Sequence, residues 1–285
     1  MSFKIVSDSS SNLLCYDAIP YATVPLKIVA GDKEYVDDAN LDVAGMVADL
    51  KKFKGKSGSS CPNVQEWLEA FEGADNIIAL TISKELSGSY SAAVHAAEEY
   101  MTENPGKQVW VLDSVAAGPE MGMLIERITA LVNEGCAMEE LKAKVTEYHK
   151  HLHTLFCLES LTNLARNGRV SPAVATIAGV LGIRVVGDVT WGKITDQAKP
   201  RGQKKATEKL VQMMIDRGMI DGATVRIAHC FGEDNANLLK TKVLEKFPNC
   251  KVIIEPTTAL CSFYAEAGGL MIGIEAGIHP AKYPA

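Results

Sequence analysis

The chain has 285 residues, a formal net charge of -6 and a hydrophobic fraction of 47%. This length is sufficient for two domains, and the acidic balance argues against nucleic acid as the main partner. No apolar run approaches the roughly 20 residues that a transmembrane helix needs, and the N-terminus lacks a signal-type apolar segment. We therefore expect a cytoplasmic protein that does not span a membrane.

The cysteines and glycines exclude several other classes of protein. Seven cysteines are scattered along the chain, and no two of them have the C-x-x-C spacing of a zinc knuckle or a redox motif. They are predicted to be reduced thiols rather than disulfides or metal ligands. The chain also lacks a G-x-x-x-x-G-K-[ST] loop and a G-x-G-x-x-G motif, so we do not expect it to bind a nucleotide.

The first half of the chain alternates predicted strands with predicted helices. The strands are predicted at 3–7, 23–29, 76–82 and 109–112, and the helices at 43–53, 64–71, 90–100, 118–133 and 138–152. Such alternation is typical of a mostly parallel sheet flanked by helices. We predict that residues 1–150 form an N-terminal α/β domain.

The centre of this half is an apolar strand that leads through Ser87-Gly88-Ser89 into a helix rich in small residues. Ser87 is predicted to be the N-cap, because its hydroxyl can accept from a free amide of the first helical turn. A helix N-terminus that follows a strand end can also bind a phosphate or a carboxylate. From this stretch alone, an anion site and a capped helix without a ligand are both open.

Two other polar stretches allow a similar pair of interpretations. Asp8-Ser9-Ser10-Ser11 follows the first strand and is either a turn with a helix cap or the border of a site at the end of the sheet. The stretch 56–63 is either a flexible surface connection or a second hydroxyl-bearing loop that faces Ser87.

The second half is predicted to form another α/β domain over residues 151–285. Strands are predicted at 154–158, 183–189, 189–194, 224–230, 251–255 and 270–274, with turns at Gly187-Asp188 and Trp191-Gly192. Helices are predicted at 161–166, 201–217 and 233–247. A further helix at 173–181 is apolar on every side, so it is either fully buried or lines an apolar cavity.

Histidines and basic residues provide two more candidate sites. Only the outer two of His149, His151 and His153 share a helix face, so a solvated helix end is favoured over a metal site. Residues 151–210 carry nine Lys or Arg and four Asp or Glu. This basic excess is either a solvated face or a patch beside Arg169 that faces a phosphate or a partner.

The ordered set of motifs resembles the DegV family of bacterial fatty-acid-binding proteins, nearly from end to end. The motifs are V-S-D-S-S-S, V-P-L-K-I with G-x-x-x-Y-x-D, S-S-C-P, I-S-K-E-L-S-G-S-Y-S-A-A, V-L-D-S, L-A-R-N-G-R-V-S-P-A and R-G-Q-K-K-A. The resemblance implies a two-domain α/β fold, with an N-terminal mostly parallel sheet, a C-terminal α/β domain and a ligand tunnel between them.

The resemblance also implies which residues bind the ligand. Ser87, with Gly88 beside it, corresponds to the serine that binds a fatty acid carboxylate, and Ser59 takes the place of the family's threonine. Arg169 and Arg201 correspond to arginines near the phosphate that a partner kinase presents. Family members often carry G-T-H-x-G-P-G late in the chain, whereas this protein has S-F-Y-A-E-A-G, with Tyr264 at the histidine position. A phenol can still form the hydrogen bond.

The resemblance finally implies a lipid carrier rather than an enzyme, with no cofactor beyond a bound long-chain fatty acid such as palmitate, stearate or oleate. The implied partner is the ATP-binding subunit of fatty acid kinase, which would convert the carboxylate to an acyl phosphate. A competing hypothesis is a serine esterase or acyl transferase that uses Ser87, with His95 or His229 as base, although G-x-S-x-G is missing. DNA-binding regulation is opposed by the acidic balance.

Overall fold

The computed structural model describes residues 2–173, 182–280 and 282. The predicted apolar helix at 173–181 therefore lies outside the described residues, except for Ala173. The strands are β1 (Phe3–Asp8), β2 (Tyr21–Val24), β3 (Lys27–Ala30), β4 (Lys33–Val36), β5 (Ser57–Ser60), β6 (Asn76–Thr81), β7 (Gln108–Asp113), β8 (Leu152–Leu158), β9 (Val185–Thr190), β10 (Lys193–Ala198), β11 (Thr224–His229), β12 (Lys251–Pro256) and β13 (Leu270–Glu275).

The helices follow the predicted alternation, and a 3-10 turn at Ser9–Ser11 follows β1. They are α1 (Val43–Lys52), α2 (Val64–Phe71), α3 (Ser89–Glu103), α4 (Pro119–Asn133), α5 (Met138–His149), α6 (Thr162–Arg166), α7 (Gln203–Asp216), α8 (Glu233–Lys246) and α9 (Ala259–Ala265). In the described part of the chain, no helix is both long and apolar enough to cross a bilayer.

The N-terminal half is built on a parallel sheet with the strand order β2-β1-β6-β7. All six residues of β6 are buried, as expected for a central strand with helices on both faces. Trp67, Phe71 and Tyr100 pack on one face, where α2 and α3 lie, and Leu124, Ile128 and Leu141 of α4 and α5 pack on the other. The predicted mostly parallel α/β sheet is confirmed.

The second sheet has the order β10-β9-β8-β13-β11-β12 and is mixed, since only β11 and β12 are parallel. Its strands all lie within 152–275, and those of the parallel sheet lie within 3–113. Helices α7 and α8 cover one face of it, and α4 lies against the other. A domain boundary near residue 150 stays a prediction.

A small antiparallel sheet, β4-β3-β5, corrects two predictions. The strand predicted at 23–29 is two strands in two different sheets, and Pro25, which has no amide to donate, lies where the chain leaves the first of them. The stretch 56–63 is not a flexible connection, because Ser57–Ser60 pairs with Lys27–Ala30.

The predicted turn at Trp191-Gly192 is confirmed, and both residues have positive φ, as a two-residue hairpin turn of type I′ requires. The predicted turn at Gly187-Asp188 is wrong, because both residues lie inside β9. Gly187 is needed there for space, since a Cβ would lie 2.1 Å from the carbonyl oxygen of Thr195.

The prediction of a solvated helix end at the three histidines is also wrong. His149 and His153 are buried, and only His151 is partly exposed. His149 Nε2 lies 2.7 Å from the carbonyl oxygen of Ser114, and His153 Nε2 lies 2.8 Å from that of Gly277. Helix α5 ends at His149 and β8 begins at Leu152, so His153 lies on a central strand of the second sheet. The described residues contain no group of three or more His, Cys, Asp or Glu that could hold a metal ion.

Candidate functional site

A cavity of about 760 Å³, including its opening to solvent, lies between the two halves of the molecule. Its wall is predominantly apolar and draws on β5 and loops of the N-terminal half and on β8, α9 and β13 of the C-terminal half. The described lining residues are Leu26, Ser59, Ile82, Leu86, Ser87, Ala117, Thr154, Phe156, Leu158, Leu164, Arg169, Val189, Ile194, Leu260, Cys261, Tyr264, Ala265 and Met271.

Ser87 lies in the loop between β6 and α3, at the carboxyl end of the parallel sheet. The N-cap is Gly88 rather than Ser87, so the predicted cap is displaced by one residue. Ser87 Oγ nevertheless accepts from the amide of Ser89 at 3.3 Å, and the Ser87 amide donates to the carbonyl oxygen of Ser83 at 3.2 Å. These bonds hold the hydroxyl at the cavity wall beside the amides of the first turn of a 15-residue helix.

Ser59 and Tyr264 meet at the same end of the cavity, although 205 residues separate them. Ser59 is positioned by pairing with Ile28 in the small sheet, and Tyr264 lies on α9. Their hydroxyl oxygens are 2.7 Å apart, and either one can be the donor. The structure thus brings three predicted site residues, Ser59, Ser87 and Tyr264, into one cavity wall.

Arg169 also lines this end of the cavity. The motifs had suggested only a phosphate-facing or partner-facing role for it. Its guanidinium carbon lies 5.8 Å from the centroid of the Tyr264 ring, and its Nε and Nη1 donate to the carbonyl oxygens of Leu86 and Asn167 at 3.1 and 2.6 Å. Arg201 is exposed and forms an isolated bridge with Ile183, outside the described cavity lining. The two predicted arginines therefore occupy different surroundings.

Gly88, the exposed N-cap residue of α3, lies close to Cys61 of the S-S-C-P motif. A Cβ on Gly88 would lie 3.3 Å from Sγ of Cys61, which is tighter than an ordinary contact. The absence of a side chain at Gly88 thus allows the Ser87 loop to approach the segment that follows β5, the strand that carries Ser59.

Two buried aspartates hold the Ser87 loop and the start of α9 in place, and neither was among the predicted site residues. Asp8 accepts from the amide of Ile82 at 2.9 Å and from the hydroxyl of Ser89 at 2.6 Å, so it fixes both ends of the Ser87 loop. Burial raises the pKa of Asp8, and the hydroxyls of Ser10 and Ser89 oppose that rise. The prediction that Asp8 to Ser11 caps a turn is confirmed, since Asp8 is the N-cap of the 3-10 turn.

Asp37 does the same for α9, the helix that carries Tyr264. Its carboxylate accepts from the amides of Ala259 and Leu260 at 2.7 and 3.1 Å, which are free amides of the first helical turn. Burial raises the pKa of Asp37 to about 6, against the effect of these bonds. Asp8 and Asp37 both belong to motifs of the sequence, V-S-D-S-S-S and G-x-x-x-Y-x-D, so the motifs were the available signal.

A different polar cluster lies behind the cavity wall at Thr154. The side chain of Glu120 is fully buried. Its carboxylate accepts hydrogen bonds from the ammonium group of Lys282 and, at 2.6 Å, from the hydroxyl of Thr154, and it lies 3.5 Å from Nε2 of His149. Burial by itself would raise the pKa of Glu120, but Lys282 and His149 lower it to about 2, so the carboxylate is ionised. No sequence signal connects Glu120 with Lys282, which lies 162 residues away.

This arrangement suits a ligand with an anionic head and an apolar tail. Hydroxyls and helix-start amides can bind a carboxylate without an adjacent lysine, and the cavity wall can bury a hydrocarbon. The esterase hypothesis had named His95 or His229 as the base for Ser87. Neither is among the described lining residues of the cavity: His95 is exposed on α3, and His229 ends β11.

Fold and site together define a class of protein: an α/β protein with two main sheets, a small third sheet and an apolar cavity between its halves, with hydroxyl groups at one end of that cavity. The chain belongs to the DegV family, since the family model described as "Uncharacterised protein, DegV family" matches residues 2–276. A DegV domain-containing protein of Streptococcus pneumoniae is 36% identical over 283 residues, which cover 96% of this chain and 99% of that protein.

Solved structures of the family share the whole architecture. A DegV family protein from Eubacterium eligens, loaded with heptadecanoic acid, has a TM-score of 0.94 and 35% identity over 96% of this chain and 100% of its own. The fatty acid kinase (Fak) B3 protein of Streptococcus pneumoniae, loaded with linoleic acid, has the same TM-score and identity over 97% of this chain and 100% of its own. The predicted fold class and family are confirmed.

Proposed function

We propose that this protein binds one long-chain fatty acid, such as palmitate, stearate or oleate, in the cavity between its two halves. The carboxylate would lie at Ser59, Ser87 and Tyr264, and the acyl chain would extend along the apolar wall formed by β8, α9 and β13. The convergence of three hydroxyls at one end of an apolar cavity carries this proposal.

The energetics support a lipid ligand. Each buried methylene contributes about 0.8 kcal/mol, so a chain of palmitate length supplies of the order of 10 kcal/mol. A buried carboxylate without partners is very costly. The hydroxyls, the first-turn amides of α3 and the nearby guanidinium of Arg169 would supply those partners.

We further propose that the protein is cytoplasmic and presents the bound carboxylate to the ATP-binding subunit of a fatty acid kinase. That subunit would form the acyl phosphate. The chain has no nucleotide-binding motif of its own. Ser59, Ser87 and Arg169 are all partly exposed, so a partner can reach the head group. Arg169 would face the transferred phosphoryl group, and Arg201 would contact the partner on the adjoining surface.

The first experiment is extraction of the purified protein with organic solvent, followed by lipid mass spectrometry. We expect one equivalent of fatty acid, and retention in native mass spectrometry that weakens in Ser87→Ala. A matched control is Ser91→Ala, which changes an exposed serine of the same helix. Absence of lipid from wild-type protein that also fails to take up added oleate would contradict the proposal.

The kinase step needs a separate experiment. Lipid-loaded protein, ATP and a fatty acid kinase subunit are combined with hydroxylamine, which traps an acyl phosphate as a hydroxamate. We expect hydroxamate only when all three components are present. Normal lipid binding without hydroxamate would contradict the kinase partnership and leave the lipid-binding proposal intact.

A further inference from the structure

The wall of the cavity contains one hydroxyl that the head group does not explain. Among the described lining residues, Ser59, Ser87, Tyr264 and Arg169 lie together at the head-group end, and apart from the thiol of Cys261 the rest are apolar with the exception of Thr154. Thr154 is 3% exposed and lies on β8.

Thr154 lies near the start of β8, and the strand runs from it through Phe156 to Leu158. Leu158, four residues further along β8, packs in the cluster that contains Tyr264. Four residues of an extended strand span about 13 Å, which corresponds to roughly ten methylene groups of an extended chain. An acyl chain bound at Ser59 and Ser87 would therefore pass Thr154 in its distal half.

The hydroxyl proton of Thr154 is already committed. Thr154 Oγ1 donates a hydrogen bond to Oε2 of Glu120 at 2.6 Å. Glu120 also accepts a hydrogen bond from the ammonium group of Lys282, which keeps the carboxylate ionised and therefore an acceptor. A threonine hydroxyl has one proton and two lone pairs. Thr154 can consequently accept a further hydrogen bond at the cavity but has no proton left to donate, and its bond to a charged group strengthens it as an acceptor.

This asymmetry selects between chemical groups on a lipid chain. A hydroxyl group can donate to Thr154, whereas a ketone or an epoxide offers only lone pairs, and a double bond offers only a π cloud. A chain hydroxyl in an apolar cavity without an acceptor is costly to bury, so the acceptor decides whether such a chain is tolerated.

Resting on the proposed fatty acid function, we propose that this protein accepts fatty acids with a hydroxyl group in the distal half of the chain, and that Thr154, held by Glu120, is the residue that recognises this hydroxyl. The hydroxyl of the ligand donates to Thr154 Oγ1, which extends the series of hydrogen bonds from Lys282 through Glu120 and Thr154 to the ligand.

The test compares wild-type protein loaded with stearic, 12-hydroxystearic, 12-oxostearic and 3-hydroxystearic acid, with dissociation constants from competition against a fluorescent fatty acid. We expect 12-hydroxystearic acid to bind about tenfold more tightly than the 12-oxo acid, the difference made by one satisfied buried hydroxyl. 10-Hydroxystearic acid is measured as a fifth ligand, because a span of roughly ten methylene groups places its hydroxyl near Thr154 as well. Equal affinity of the hydroxy and oxo acids in the wild-type protein would overturn the inference.

Variants then assign the preference to the residue. Thr154→Val should abolish the tenfold preference and leave the affinity for 3-hydroxystearic acid unchanged, and Thr154→Ser should keep the preference. Thr190→Val is the matched control, because it removes a threonine-to-carboxylate bond, 3.1 Å to Asp188, outside the described cavity lining. A preference that persists in Thr154→Val overturns the role of Thr154. If stearic acid also fails to bind to the wild-type protein, the proposed function itself fails; if only the hydroxyl preference is missing, this inference alone fails.

Discussion

The two ends of the cavity solve the problem of burying polar groups in opposite ways. The head-group end has neutral hydroxyls on a strand, a loop and a helix from distant parts of the chain, and the guanidinium of Arg169 donates there to backbone carbonyls. The Thr154 end is backed by a fully buried ion pair between Glu120 and Lys282. A buried ion pair depends on both of its partners, whereas a cluster of hydroxyls that loses one member keeps the others. The comparison therefore predicts that the Thr154 end tolerates substitution less well than the head-group end.

Breaking the buried ion pair should have the largest effect. Lys282→Met leaves the Glu120 carboxylate buried without its cation, so we expect the free energy of unfolding to fall by about 3–5 kcal/mol in urea denaturation. The double variant Glu120→Gln with Lys282→Met removes both charges and should recover most of that loss. A single variant as stable as the wild type would mean that the closed end does not depend on this pair.

The pH dependence of stability tests how the head-group end is supported. Burial raises the pKa of Asp37 from an ordinary value near 3.8 to about 6. The folded state therefore binds a proton more tightly than the unfolded state, and this contribution is fully present below pH 3.8 and is lost as pH rises through 6. Over that interval we expect a loss of about 3 kcal/mol.

The measurement is urea denaturation at intervals between pH 4 and 7 for the wild type and for Asp37→Asn. The variant should lack this part of the pH dependence, because an amide does not titrate. Parallel curves for the two proteins would show that Asp37 is not the titrating group. Asp49→Asn, at an exposed aspartate that is ion-paired with Lys33, is the control at a solvated site.

Removal of a single hydroxyl at the head-group end should cost less free energy than the loss of the Glu120–Lys282 ion pair or the titration of Asp37. Tyr264→Phe removes one hydrogen-bonding group and should weaken lipid binding by about 1 kcal/mol, or roughly fivefold. Because the hydroxyls of Ser59 and Tyr264 are 2.7 Å apart, Ser59→Ala combined with Tyr264→Phe should cost less than the sum of the two. Strict additivity in lipid retention would show that the two hydroxyls bind independently.

The smallest effect is expected at Arg201. It lies outside the described cavity lining, so Arg201→Ala should leave the lipid dissociation constant within about twofold of the wild type, as surface substitutions usually do. Arg169→Ala, at the cavity wall, should weaken binding several-fold. Equal losses in the two variants would contradict the separation of these arginines, whereas a loss of acyl phosphate formation in Arg201→Ala alone would support its partner-facing role.

Local sequence patterns determined much of the molecule. Apolar runs and helix signals predicted the alternation of the first half, because periodicity and turn residues act over a few neighbours. The ordered motifs indicated the family and directed attention to Ser59, Ser87, Gly88 and Tyr264. Predictions failed where tertiary contacts overrode a local pattern. The serine-rich stretch forms β5 because it pairs with β3. Gly187 was predicted to form a turn, but it is a glycine because a neighbouring backbone leaves no room for a side chain within the strand.

Only the tertiary structure decided which distant residues share a cavity. Three contacts join segments more than eighty residues apart: Ser59 with Tyr264, Arg169 with the carbonyl oxygen of Leu86, and Glu120 with Lys282. No periodicity or spacing encodes such pairs, because their contact depends on how two sheets and the helices between them pack. The sequence supplied the chemical groups, and the packing of the two halves determined which of them face a ligand and which are sealed from water.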